Sequence, residues 1–82
     1  MKILINLVVP AISGHYDVLI PDFLKIEDVI SLVSEAIEEL SDHLYTATGY
    51  EVLCLKEKSL ILKQEGTLES YGVKNGEQII ML

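Results

Sequence analysis

Between Ile26 and Leu44 the apolar residues recur at helical spacing, and they do so nowhere else in the 82-residue chain. At about 100° per residue, Ile26, Val29, Ile30, Val33, Ile37, Leu40 and Leu44 fall within about 60° of one line. Glu27, Asp28, Glu35, Glu38, Glu39 and Asp42 occupy the opposite side. A helix with one apolar stripe must lay that stripe on a partner layer, and the rest of the chain offers only strand-like runs. The expectation is a two-layer α+β domain over residues 1–82. Glu27 and Asp28 suit the positive end of the helix dipole, so the helix should start near Lys25 or Ile26. Its end stays open between Leu40 and Tyr45: Ser41-Asp42 reads as a stop, but the apolar spacing continues.

The strands follow from period and composition. Lys2 to Val9 is β-branched and aliphatic and stops at Pro10, which has no N–H for a ladder. After the turn signal Ser13-Gly14, residues 15–20 put Tyr16, Val18 and Ile20 on one face, which makes a hairpin. Glu51 to Lys56 reads as a third strand, Leu60 to Lys63 as a short return strand, and Gln78 to Leu82 as the last. Thr67 to Val73 is too short for a full helix and predicts a single helical turn. Lys74-Asn75-Gly76-Glu77 is a further turn. The order is ββαββ(turn)β.

Charge and cysteine content exclude whole classes of function. With 13 acids, 6 Lys, no Arg and a net charge of −7, the chain is repelled by nucleic acid and by anionic membrane surfaces. No Trp and one Phe leave no stacking platform for single strands. One cysteine allows no internal disulfide and no Cys-rich metal site, which points to a reducing compartment. The apolar start, Met1 to Pro10, is far short of the roughly 20 residues of a spanning helix. No cleavage signal follows it, so a cytoplasmic location without membrane insertion is expected.

Leu60-Ile61-Leu62-Lys63 followed by Gly66-Thr67-Leu68-Glu69-Ser70-Tyr71-Gly72-Val73 resembles the end of the ubiquitin β-grasp fold: a short strand, a Thr-Leu-x-x-Tyr-x-Val turn and a last strand. That resemblance implies a mixed sheet with one helix packed on one face, and a Tyr71 hydroxyl that ties down a nearby backbone loop. The chain is also similar to the YukD/EsaB family, ubiquitin-like proteins of type VII secretion in Gram-positive bacteria. Three segments carry this likeness: Gly14 to Pro21, Phe23 to Val33, and Tyr71 to Gly76 before Ile79 to Leu82. It implies a non-enzymatic cytosolic accessory or regulatory factor that binds subunits of the secretion machinery, the membrane ATPase among the candidates. Conjugated modifiers and sulfur carriers of the superfamily use a free Gly-Gly tail, whereas this sequence stops at Ile79-Ile80-Met81-Leu82, within the expected last strand. Modifier or carrier chemistry is therefore the lesser alternative.

No constellation of catalytic, cofactor or metal-binding residues is legible. Cys54 lies between Leu53 and Leu55 and reads as a small apolar filler. His15 and His43 have no partner ligand at metal spacing. The excess charge is localised: from Asp22 to Glu51 eight acids meet one lysine, and the remainder balances at five of each. Glu27, Asp28, Glu35, Glu38, Glu39 and Asp42 thus form an acidic helix face, a solvated surface in the simplest reading and a dock for a basic partner in the other. The open face of the sheet is the stronger candidate. Period 2 sends Leu4, Leu19, Cys54, Lys56, Ile80 and Leu82 there, and the β-grasp order predicts that Leu4, Cys54, Ile80 and Leu82 cluster as a contact for a protein partner or for a second copy in a homodimer.

Overall fold

The computed structural model describes residues 1–82. Strands β1 (Lys2–Val9), β2 (Gly14–Pro21), β3 (Leu53–Leu55), β4 (Leu60–Ile61) and β5 (Gln78–Met81) form one mixed sheet in the order β2-β1-β5-β3-β4. β1 runs antiparallel to β2 and parallel to β5, and β3 is antiparallel to both β5 and β4. Helix α1 (Ile26–Leu40) covers one face. This is the β-grasp arrangement that the ubiquitin resemblance implies, and it has the two α+β layers that the element order predicts. The strands of the second half are shorter than their sequence patterns: Glu51, Val52 and Lys56 fall outside β3, and Leu62 and Lys63 outside β4. The pairing nevertheless continues, because Val52 and Leu82 exchange both backbone bonds at 2.9 Å.

Alternation along the strands builds the core. Ile3, Ile5, Leu7, Leu53, Leu55, Ile79 and Met81 point under the helix, where they meet Ile26, Val29, Val33 and Ile37. Tyr16 and Val18, on the outermost strand, are only half-buried at the margin of that cluster.

The helix has no side-chain N-cap, since Lys25 stands at that position. Its first free N–H groups are satisfied by tertiary contact instead: the amides of Ile26 and Glu27 donate to the carbonyls of Gly66 and Gln64 at 2.8 and 3.1 Å. At the other end, Asp42 N–H donates to the Glu39 carbonyl at 3.0 Å and His43 N–H to the Glu38 carbonyl at 2.8 Å. With Asp42 at φ 55°, this is a Schellman stop in which aspartate takes the place usually held by glycine. The helical spacing therefore overreaches. Leu40 and Leu44 are 64% and 71% exposed, and Tyr45, beyond the stop, enters the core.

The segment 66–73 forms hydrogen-bonded turns, with Tyr71 N–H donating to the Thr67 carbonyl at 3.2 Å. Thr67 and Ser70 cap each other: Ser70 N–H donates to Thr67 Oγ1 at 2.9 Å and Thr67 N–H to Ser70 Oγ at 3.0 Å. The Tyr71 hydroxyl accepts the Lys63 N–H at 2.8 Å, as the ubiquitin resemblance implies. A Cβ at Gly66 would lie 2.7 Å from the ring of Tyr71, so the turn can close over the ring only with glycine there.

Candidate functional site

The open face of the sheet is organised in rows across the strands. Register aligns His15 with Val8, Val8 with Ile80, Ile80 with Cys54 and Cys54 with Ile61. Val8, Ile80, Cys54 and Ile61 thus form an unbroken apolar row over four strands. Val52 and Leu82, paired through their backbones, extend it on one side. Ile61 is 60% exposed and Leu82 65%, while Val8, Cys54 and Ile80 are half-buried among their neighbours.

The adjacent row is polar. Asn6 Nδ2 donates to Asp17 Oδ1 at 3.0 Å, and Gln78 Nε2 donates to Asn6 Oδ1 at 3.0 Å. Lys56 follows in this row, its N–H donating to the Gln78 carbonyl at 3.3 Å. Beyond the polar row, Leu4 faces Leu19. Leu4 therefore does not join Cys54, Ile80 and Leu82, contrary to the clustering expected from sequence. The reason is the parallel β1–β5 register, which sets Val8 rather than Leu4 beside Ile80. Leu4 and Leu19 form a separate apolar pair, and Lys56 borders the main row instead of entering it. Sequence reasoning missed two members. Val8 was accessible from the period of β1, while Ile61 depends on the tight Lys56–Ser59 turn that returns β4 along β3.

The acidic helix face is mostly unengaged. Glu27, Asp28, Glu35, Glu39 and Asp42 are exposed. Glu38 differs: its Oε1 accepts the Ala47 N–H at 2.9 Å, and its Oε2 lies 4.0 Å from His43 Nδ1. It holds the loop after α1 and is not a free charge. A groove of about 700 Å³ is lined by Lys56, Lys58, Lys74, Glu57 and Glu77, with Asn75, Gln78 and two glycines. Its mixed charges favour neither sign.

One buried ionisable group stands apart. Glu51, 4% exposed, accepts at Oε2 from the Tyr45 hydroxyl at 2.6 Å and the Thr48 N–H at 2.7 Å, and at Oε1 from the Gly49 N–H at 3.1 Å. Burial raises its pKa, but the bonds donated by Tyr45 and Thr48 outweigh burial and hold the carboxyl below its ordinary value. Burial, reinforced by the same carboxylate, pushes the Tyr45 hydroxyl up. With both carboxylate oxygens bonded by its own loop, Glu51 is an anchor for residues 45–50. No three His, Cys, Asp or Glu side chains converge as a metal cage.

No protein-family model matches the chain. No curated protein matches it either. Solved structures do. The ubiquitin-like domain of Plasmodium falciparum Dsk2 superposes with a TM-score of 0.72 at 19% identity, covering 100% of both chains. The ubiquitin-like domain of the Mycobacterium tuberculosis type VII secretion protein ECCD1 gives 0.67 at 19% identity, covering 100% of this chain and 98% of that one. A subunit chain of the MycP5-free ESX-5 inner membrane complex gives 0.70 at 17% identity, over 99% of this chain and 20% of its own length. Likeness at these identities defines the fold, and the chain has the ubiquitin-like β-grasp fold.

Proposed function

We propose that this protein is a non-enzymatic, cytosolic accessory factor of a type VII secretion machine, of the YukD/EsaB kind, which acts by binding machine subunits through its open sheet face. The observation that carries the reading is the row Val8, Ile80, Cys54 and Ile61, an apolar strip on a face that no helix covers. A contiguous, partly exposed apolar strip on a small acidic domain gains from being covered by a partner. The fold shared with ECCD1 and with a chain of the ESX-5 inner membrane complex supports the secretion context. The membrane ATPase and the other core subunits are the candidate partners.

The test is affinity capture from membranes of a cell that carries such a machine, with the wild type and with Ile61→Asp/Ile80→Asp. The wild type should recover secretion subunits and the double variant should lose them. Equal recovery by both removes the sheet face as the site, and absence of secretion subunits from the wild-type capture overturns the secretion role. An adenylate or isopeptide adduct on the protein after incubation with extract and ATP, seen by mass spectrometry, would restore the modifier or carrier alternative.

A further inference from the structure

The polar row across the open face carries opposite charges at its two ends. Asp17 on β2, Asn6 on β1 and Gln78 on β5 stand side by side through the β1–β2 and β1–β5 registers. The β3–β5 register pairs Leu55 with Ile79 and so brings Lys56 opposite Gln78. Leu55 is buried under the helix, and alternation turns Lys56 to the open side, where it is exposed. Neighbouring strands lie about 4.8 Å apart, so three strand steps separate the Asp17 and Lys56 positions by roughly 14 Å.

Hydrogen bonding gives the row a direction. Asn6 turns its amide nitrogen to Asp17 Oδ1 at 3.0 Å, and its own Oδ1 accepts from Gln78 Nε2 at 3.0 Å. A carboxylate can only accept, so the Asp17 charge fixes the orientation of both amides, with their oxygens on the side away from Asp17. Neither end is neutralised within the chain: the molecule's charged contacts join the Met1 amine to Asp22 and His43 to Glu38. In the groove beyond the row, Lys58 and Lys74 are matched in number by Glu57 and Glu77, so Lys56 sets the sign at this end. The acids of α1 lie behind the sheet, on its helix side.

An apolar strip alone reads the same in both directions, and Val8, Ile80, Cys54 and Ile61 would accept a segment turned end for end. The charged row beside it removes that equivalence, because reversal sets like charges together. We propose that the row Asp17, Asn6, Gln78 and Lys56 orients the partner on the open face. The occupant is a segment of a machine subunit with aliphatic residues over the apolar row, a lysine or arginine over Asp17 and an aspartate or glutamate over Lys56. This assignment rests on the binding role proposed for that face and adds the direction in which the partner lies. A second copy fits less well. The two-fold pairing that matches Asp17 with Lys56 lays β2 over β3 and β1 over β5, which carries Ile61 on β4 past the β2 edge and leaves it uncovered.

Two measurements on membranes of a cell that carries such a machine test it. The first is affinity capture with Asp17→Lys/Lys56→Asp, which leaves the apolar row intact, and with Asp17→Asn/Lys56→Gln, which removes the charges and retains an acceptor for Asn6. Recovery of secretion subunits should fall about tenfold or more for the exchanged pair, and by less for the neutral pair. The second treats a mixture of isotope-labelled and unlabelled wild type, bound to the membranes, with a carbodiimide that couples carboxylates to amines in direct contact. Mass spectrometry should find Lys56 joined to an aspartate or glutamate of a recovered subunit. Undiminished recovery by the exchanged pair, with the wild type binding normally, overturns the orienting row alone. So does a Lys56 joined only to Asp17 of a second copy, or to no partner carboxylate. An empty wild-type capture, or equal recovery by Ile61→Asp/Ile80→Asp, removes the binding role of the face and the orienting row with it.

Discussion

Glu51 shows how one residue can be misplaced by pattern and still organise its surroundings. In sequence it opens a strand; in the structure it turns inward and gathers the Tyr45 hydroxyl and two loop amides. Its folded-state pKa lies below the ordinary 4.5, so folding favours the ionised form. The stability it supplies is complete above the ordinary value and is lost as pH falls through the folded-state value. Glu51→Gln should lower stability by about 2 kcal/mol at neutral pH, because it weakens charge-assisted bonds and leaves buried donors poorly matched. Urea unfolding of both proteins from neutral pH down into the acid range checks this. The gap between them should be widest at neutral pH and should narrow as the carboxyl protonates.

At the scale of elements, α1 is the clearest case of agreement and its C-terminus the clearest case of disagreement. Its start near Lys25 or Ile26 was legible because acids crowd the first turn. The cap itself was not, because the loop 64–66 supplies it from across the fold. The end was ambiguous because no glycine marks it: Asp42 adopts the left-handed conformation that costs an L-residue about 1 kcal/mol. Asp42→Gly should therefore raise the unfolding free energy by about 0.5–1 kcal/mol, after allowance for the greater chain entropy of glycine in the unfolded state. Thermal unfolding measures it, and an unchanged or lower midpoint would contradict the Schellman geometry. Leu40 and Leu44 teach a related lesson. Helical angle assigns a side, but only the length of the helix and the extent of the sheet decide whether that side meets anything.

For the molecule as a whole, the open face owes its character to the polar row Asp17, Asn6 and Gln78, which keeps Leu4 and Leu19 apart from Val8, Ile80, Cys54 and Ile61. Asn6→Leu would join the two patches across β1. The expected result is a concentration-dependent rise in mass on sedimentation while the wild type stays unchanged under the same conditions, since larger continuous apolar surfaces associate.

Much of this was determined by sequence alone. Period separates the one helix from the strands, Pro10 and the Asn75-Gly76 turn punctuate them, and a single apolar stripe requires a sheet beneath it. Period 2 also sorted the inward residues of β1, β3 and β5 correctly, because alternation is a local property of the extended chain. The neighbours of each outward residue were decided only by the tertiary structure. Which residue of β1 stands beside Ile80 depends on the register of strands more than 70 positions apart in the chain, and no local pattern encodes that register. The same holds for the edge position of β2: it exists because the chain sets β5 on the other side of β1 and leaves β2 without a second neighbour.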